Sequence, residues 1–190
     1  MNFLTIAILY SLSGFLMKLS DDEYDEKSNK IIAIVIGILC AVAIAYLSVN
    51  NIDASYIFIG ILIGSLLSFK IDGIHHIVTL ITFLLLLFIW GVPSLNLATL
   101  GFCGASALID ELGNDNEKIY KKNKLFKVFF EYRFTMKIAI FILAILGFIQ
   151  SFIIFHIANI DFLSFSTFFY FLLFEISYEF AGFTFKKCFS

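Results

Sequence analysis

Proline occurs once in 190 residues, at Pro93, and Asp, Glu, Lys and Arg together supply only 15% of the chain. With almost no proline there is little to interrupt helices, and with so little charge there is too little polar surface to clothe a water-soluble domain. Cysteine is equally sparse. Cys40, Cys103 and Cys188 lie far apart, which excludes a disulfide framework and any zinc-finger spacing. Neither H-E-x-x-H nor G-x-S-x-G occurs, so the helical zinc-protease motif and the serine-hydrolase elbow are also excluded. Linkers rich in Pro, Gly or Ser are missing, and residues 1–190 read as one domain. A net charge of −2 offers no support for a nucleic-acid partner.

What is present in excess is apolar. Hydrophobic residues make up 61% of the chain, 25 of them Phe, and the mean hydropathy is +0.96. A soluble domain has about 45–50% apolar residues. The composition is that of an all-α, multi-pass integral membrane protein. Apolar runs suited to spanning helices cover Asn2–Leu19, Ile31–Val49, Ala54–Phe69, Ile74–Trp90, Leu95–Ile109, Thr135–Ile157 and Phe162–Phe185. The first run lacks a basic n-region and a small-residue cleavage site, so it is expected to be retained as a span.

The step from Ile74 to Ile109 is too long for one span, and Gly91-Val92-Pro93-Ser94 punctuates it, with Ser94 as the expected cap of the next helix. Charge decides between six spans and seven. With seven, all thirteen basic residues fall on one side; with six, Lys18, Lys27, Lys30 and Lys70 would cross to the other. The positive-inside rule selects seven helices in the cell membrane, with the N-terminus outside and the C-terminus cytoplasmic. Seven of the basic residues lie between Ala105 and Lys137, the one long polar interruption. Its Lys118–Phe134 portion alternates Lys with Ile, Leu, Phe and Tyr, as an amphipathic helix on the anionic inner leaflet would. Small residues mark expected packing faces: Gly60 with Gly64, and Ala98, Gly101 and Ala105.

In this topology three inner connections bring carboxylates to one depth. In SDDEYDEKSN, Asp21 and Asp25 are four residues apart and Asp22 and Asp25 three, so a helical extension of the first span would place them on shared faces. Carboxylates so placed suit Mg²⁺ with room left for phosphate, and Lys18 and Lys70 could offset phosphate charge. Asp110 and Asp115 leave the fifth span in the same way. Asp72, His75 and His76 have spacings of three and four; imidazole suits zinc or another transition metal, and a His beside a carboxylate can act as a general base near neutral pH. Glu175 and Glu179, with Tyr178 beside them, lie four apart within the last span and are expected to share an inward face.

The pattern Asp21-Asp22-x-x-Asp25-x-x-x-Asn29 resembles the first aspartate-rich motif of the UbiA-type membrane prenyltransferases, and Asp110 with Asn114 and Asp115 is similar to the second. Asn29 stands where that family has another Asp. The resemblance implies Mg²⁺ and a prenyl diphosphate, with Asp21, Asp22, Asp25, Asp110 and Asp115 as metal or diphosphate contacts. The leading expectation is therefore an Mg²⁺-dependent enzyme acting on an isoprenoid or lipid phosphate. The alternatives are a transporter or ion-translocating protein using Glu175 and Glu179, and a non-catalytic membrane subunit.

Overall fold

A computed structural model describes residues 1–71, 73–116, 123–152 and 160–189, all but the last with their side chains. The described residues are helical, with no strand among them: α1 (Phe3–Asp25), α2 (Lys30–Asn50), α3 (Ile52–Leu67), α4 (Ile74–Trp90), α5 (Leu97–Asn114), α6 (Lys124–Glu131), α7 (Phe134–Gln150) and α8 (Phe165–Phe189). Three of them, α1, α2 and α8, are long and apolar enough to cross a membrane, and α6 with α7 makes a fourth if that pair is one span bent by 62°. The apolar helices α3 and α4 have 16 and 17 residues. At about 1.5 Å per residue they fall short of a hydrocarbon core about 30 Å thick.

Large apolar side chains cover much of the surface, and several charged groups are buried. Phe88 is 87% exposed, Leu97 83% and Ile31 77%, whereas Asp22, Glu23, His75, Asp110 and Glu175 are buried. Apolar surface on this scale is rare on a soluble monomer.

The helix ends follow local chemistry. The Asn2, Asn29, Asn96 and Asn123 side chains accept from first-turn N–H groups of α1, α2, α5 and α6. Asn96, not Ser94, caps α5; its carbonyl accepts from both Ala98 and Thr99 N–H. Gly91 ends α4 at φ 85°, in the left-handed region where a side chain would be strained. Pro93 follows two residues later, so the chain breaks within the expected Gly91–Ser94 segment.

The chain divides into two compact units. One contains residues 1–54, 71–93 and 169–190, hence α1, α2, α4 and most of α8. Within it, the Ser20 hydroxyl donates to Ala33 O at 2.9 Å, tying α1 to α2. Gly14 lies against the Phe174 backbone, so α1 and α8 pack nearly backbone to backbone, and Gly37 lies against Thr79 Oγ1 of α4. The other unit contains residues 55–70 and 94–168. There Gly60 and Gly64 of α3 meet Cys103 and Ala107 of α5, the close contact expected of that glycine pair. The stripe expected on α5 is not its packing face. Ala98, Gly101 and Ala105 are exposed, while Cys103, Gly104 and Ala107, about one residue round the helix, are buried. At the opposite end of α5, the Tyr56 hydroxyl donates to Asp161 Oδ2 at 2.6 Å and accepts from Asn96 N–H at 2.8 Å. Thr99 Oγ1 exchanges hydrogen bonds of 2.9 Å with the Asp161 backbone.

Candidate metal centre

The site is built where the end of α1 meets the start of α4. Helix α1 continues six residues past the apolar run that ends at Leu19 and stops at Asp25. The extension carries the carboxylates on helical spacing as expected, but successive residues on a helix diverge by about 100°. Asp21 and Asp22 therefore meet different partners. Asp22 is buried and ion-paired with Lys18 at 2.8 Å, one turn back on α1. Glu23 pairs in the same way with Lys27 at 2.9 Å. Asp25 is exposed.

Asp21 instead faces α4. Its Oδ1 lies 3.5 Å from His75 Nε2 and 3.8 Å from His76 Nε2, and the three side chains each place one ligand atom within 4.8 Å of the others. This is the group of metal-competent side chains found among the described residues. The two imidazoles lie with ring centroids 3.9 Å apart and planes tilted by 35°. His75 is 2% exposed, and neither of its ring nitrogens makes a hydrogen bond. A buried polar atom in that condition carries a desolvation cost that a ligand accepting its lone pair would relieve.

Aromatic and small residues hold this arrangement. Tyr24, three residues after Asp21 on the same face of α1, stacks on His75 with centroids 4.2 Å apart and planes at 27°. Gly73 caps α4, and a Cβ there would come within 2.5 Å of His75 Cε1 and Nδ1. From α8, the Tyr178 hydroxyl reaches Asp21 Oδ2 at 3.4 Å, and Lys18 Nζ sits 5.6 Å from the Tyr178 ring centroid. No side chain caps the N-terminus of α4 among the described residues.

The carboxylate expected to serve both histidines, Asp72, lies outside the described residues. The one that faces them is Asp21, contributed from α1. Glu175 and Glu179, one turn apart on α8, differ in surroundings: Glu175 is buried and Glu179 exposed. Tyr24 and Gly73 escaped the sequence reading. The spacing of Tyr24 from Asp21 was a usable signal; Gly73 gave none.

The acidic residues at the C-terminal end of α5 are engaged within their own unit. Asp110 Oδ1 and Oδ2 accept from the N–H groups of Thr135 and Met136 at 3.0 and 2.7 Å, capping α7 across the tertiary fold. Asp110 is the first residue past the fifth apolar run, and burial pushes its carboxyl above the ordinary range, against the pull of these donors and of Arg133. Arg133 also approaches Glu111 at 3.5 Å. Asp115 is exposed and ion-paired with Lys70.

The chain matches no family model, no curated protein and no solved structure.

Proposed function

We propose that the protein is a multi-pass membrane enzyme that holds a divalent metal ion at Asp21, His75 and His76 and acts on a phosphate- or diphosphate-bearing lipid, such as an isoprenoid, at the cytoplasmic face of the cell membrane. The seven apolar helices α1–α5, α7 and α8 form seven spans, with the N-terminus outside and the C-terminus cytoplasmic, because this arrangement alone gathers all thirteen basic residues on one side. Spans α3 and α4 are short and are accommodated by local thinning of the bilayer. The observation that carries the enzymatic reading is the convergence of one carboxylate and two imidazoles with two orphaned, buried ring nitrogens. Three protein ligands leave coordination positions for water and a phosphoryl oxygen, the arrangement of a catalytic rather than a structural metal site. The uncapped N-terminus of α4 adds a positive dipole end beside them.

The five carboxylates expected to gather around Mg²⁺ have separate employments. Only Asp21 belongs to the cluster, and Asp22 and Asp115 are tied to lysines. The support for metal chemistry therefore comes from the histidines and not from the aspartate-rich motif. Purified protein in liposomes, supplied with a divalent metal and a polyprenyl or diacylglycerol phosphate, should release or transfer the phosphate-bearing group. Turnover that persists in Asp21→Asn would refute the assignment.

A second reading is favoured by Glu175, a buried carboxylate in the middle of α8, since such groups mark ion or proton paths. It makes the protein a transporter. Metal or proton flux in liposomes that disappears in Glu175→Gln, without lipid turnover in the parent, selects it over the enzyme.

A further inference from the structure

We infer that the Asp21–His75–His76 cluster takes a borderline transition-metal ion of the zinc class and discriminates against Mg²⁺. The inference rests on reading the cluster as the metal centre and adds which ion it holds. The donor set comes first: two neutral imidazoles and one carboxylate suit Zn²⁺, Co²⁺ or Fe²⁺, whereas Mg²⁺ takes oxygen ligands and gives up water reluctantly. The spacing agrees. Ligand atoms about 2.0–2.1 Å from a tetrahedral zinc stand about 3.3 Å apart, and Asp21 Oδ1 is already 3.5 and 3.8 Å from the two imidazole Nε2 atoms.

Among the described residues, the carboxylates next to Asp21 on α1 each give one oxygen to a lysine, and neither belongs to the cluster. Asp22 and Glu23, the next two residues on α1, are held by Lys18 and Lys27. The rest of the shell does what metal-site surroundings do elsewhere, fixing the orientation of the ligands. Tyr178 engages Asp21 Oδ2, leaving Oδ1 toward the histidines. Tyr24 and Gly73 confine the His75 ring from its face and its edge.

The test uses the full chain in detergent, stripped with a chelator and titrated with Co²⁺, whose visible spectrum reports imidazole ligation, followed by competition with Zn²⁺ and with Mg²⁺. We expect one Co²⁺ per chain, displaced by stoichiometric Zn²⁺ and not by Mg²⁺ in roughly thousandfold excess. Asp21→Asn and His76→Gln should each weaken Co²⁺ binding by on the order of tenfold or more, while Asp22→Asn leaves it unchanged. Both ligand variants are conservative, and His76 is only half-buried, so each should fold; the parent spectrum serves independently of them. Displacement of Co²⁺ by Mg²⁺ at comparable concentration would overturn the inference and leave the enzyme reading standing. Unaltered Co²⁺ affinity in both ligand variants would overturn the inference together with the Asp21–His75–His76 centre on which the enzyme reading rests. Tight Zn²⁺ binding without turnover of a lipid phosphate would do the reverse, removing the enzyme and keeping the ion.

Discussion

The His75 imidazole lies so close over Gly73 that a methyl group on residue 73 would come within 2.5 Å of its Cε1 and Nδ1 atoms. Backbone conformation does not demand glycine here, since Gly73 has φ −85°; the requirement is space for a ligand. Gly73→Ala should push the ring off its position and lower metal affinity by about tenfold, with little change in thermal stability. Gly101→Ala, where a Cβ meets nothing within 4 Å, should change neither. Parallel metal titrations and melting curves of the two variants check this.

Asp110 caps α7 through the Thr135 and Met136 N–H groups, while Arg133 at the N-cap position gives the helix no side-chain capping bond. Asp110→Ala should destabilise the fold by about 1 kcal/mol through loss of the cap. The pH dependence has a definite sign. With its folded-state value raised by burial, Asp110 binds its proton more tightly in the folded chain, so its contribution is greatest below the ordinary carboxylate range and declines as pH rises through the elevated value. Asp110→Asn should remove that decline. Unfolding midpoints from acidic to neutral pH, compared between parent and Asn variant, measure the difference in slope.

Close packing of α3 on α5 depends on Gly64, where a Cβ would stand 2.6 Å from Ala107 Cβ and 2.8 Å from Leu108 N. Gly64→Ala should cost about 1–3 kcal/mol, since backbone must move to admit the methyl. Thermal unfolding in detergent reads the loss; an unchanged midpoint would mean that α3 and α5 do not meet at Gly64.

Tyr56→Phe removes a hydroxyl that bridges the Asp161 carboxylate and the Asn96 N–H. Losing the bond from the buried Tyr56 hydroxyl to the exposed Asp161 carboxylate should cost about 0.5–1.5 kcal/mol. Tyr56→Phe combined with Asp161→Asn should cost less than the sum of the two single changes. A double-mutant cycle on unfolding free energies tests the coupling.

The three cysteines offer a topology probe without mutation, because Cys188 is exposed and Cys40 and Cys103 are buried. A membrane-impermeant maleimide should label Cys188 in inside-out vesicles and spare it in right-side-out ones. The opposite pattern would reverse the seven-span orientation.

Helix positions were legible because each apolar run is bounded by residues with strong local preferences. Gly91 at the end of α4 and the polar break after it act within a turn or two, so no tertiary knowledge is needed to see them; the cap of α5 was missed, Ser94 being expected where Asn96 stands. Which face of each helix packs was much less legible. On a helix that is apolar nearly all round, periodicity has no direction to report, and this is how Ala98, Gly101 and Ala105 came to be chosen over Cys103, Gly104 and Ala107. The Asp21–His75–His76 cluster joins these two cases. The sequence marks His75 and His76, but the carboxylate that meets them comes from more than fifty residues earlier. Nothing local distinguishes Asp21 from Asp22; only the rotation of α1 against α4 sends one to the histidines and the other back to Lys18.

Arg133, left-handed at φ 49°, sits at the elbow where α6 turns by 62° into α7. If α7 stands along the membrane normal, that turn lays α6 within about 28° of the membrane plane (90 − 62). Lys124 and Lys127 would then ride at headgroup level while Leu125 and Phe126 dip toward the acyl chains. Helix α6 so placed works as a float. It resists the sinking or rising of α7 through the bilayer, and it gives the molecule a fixed waterline.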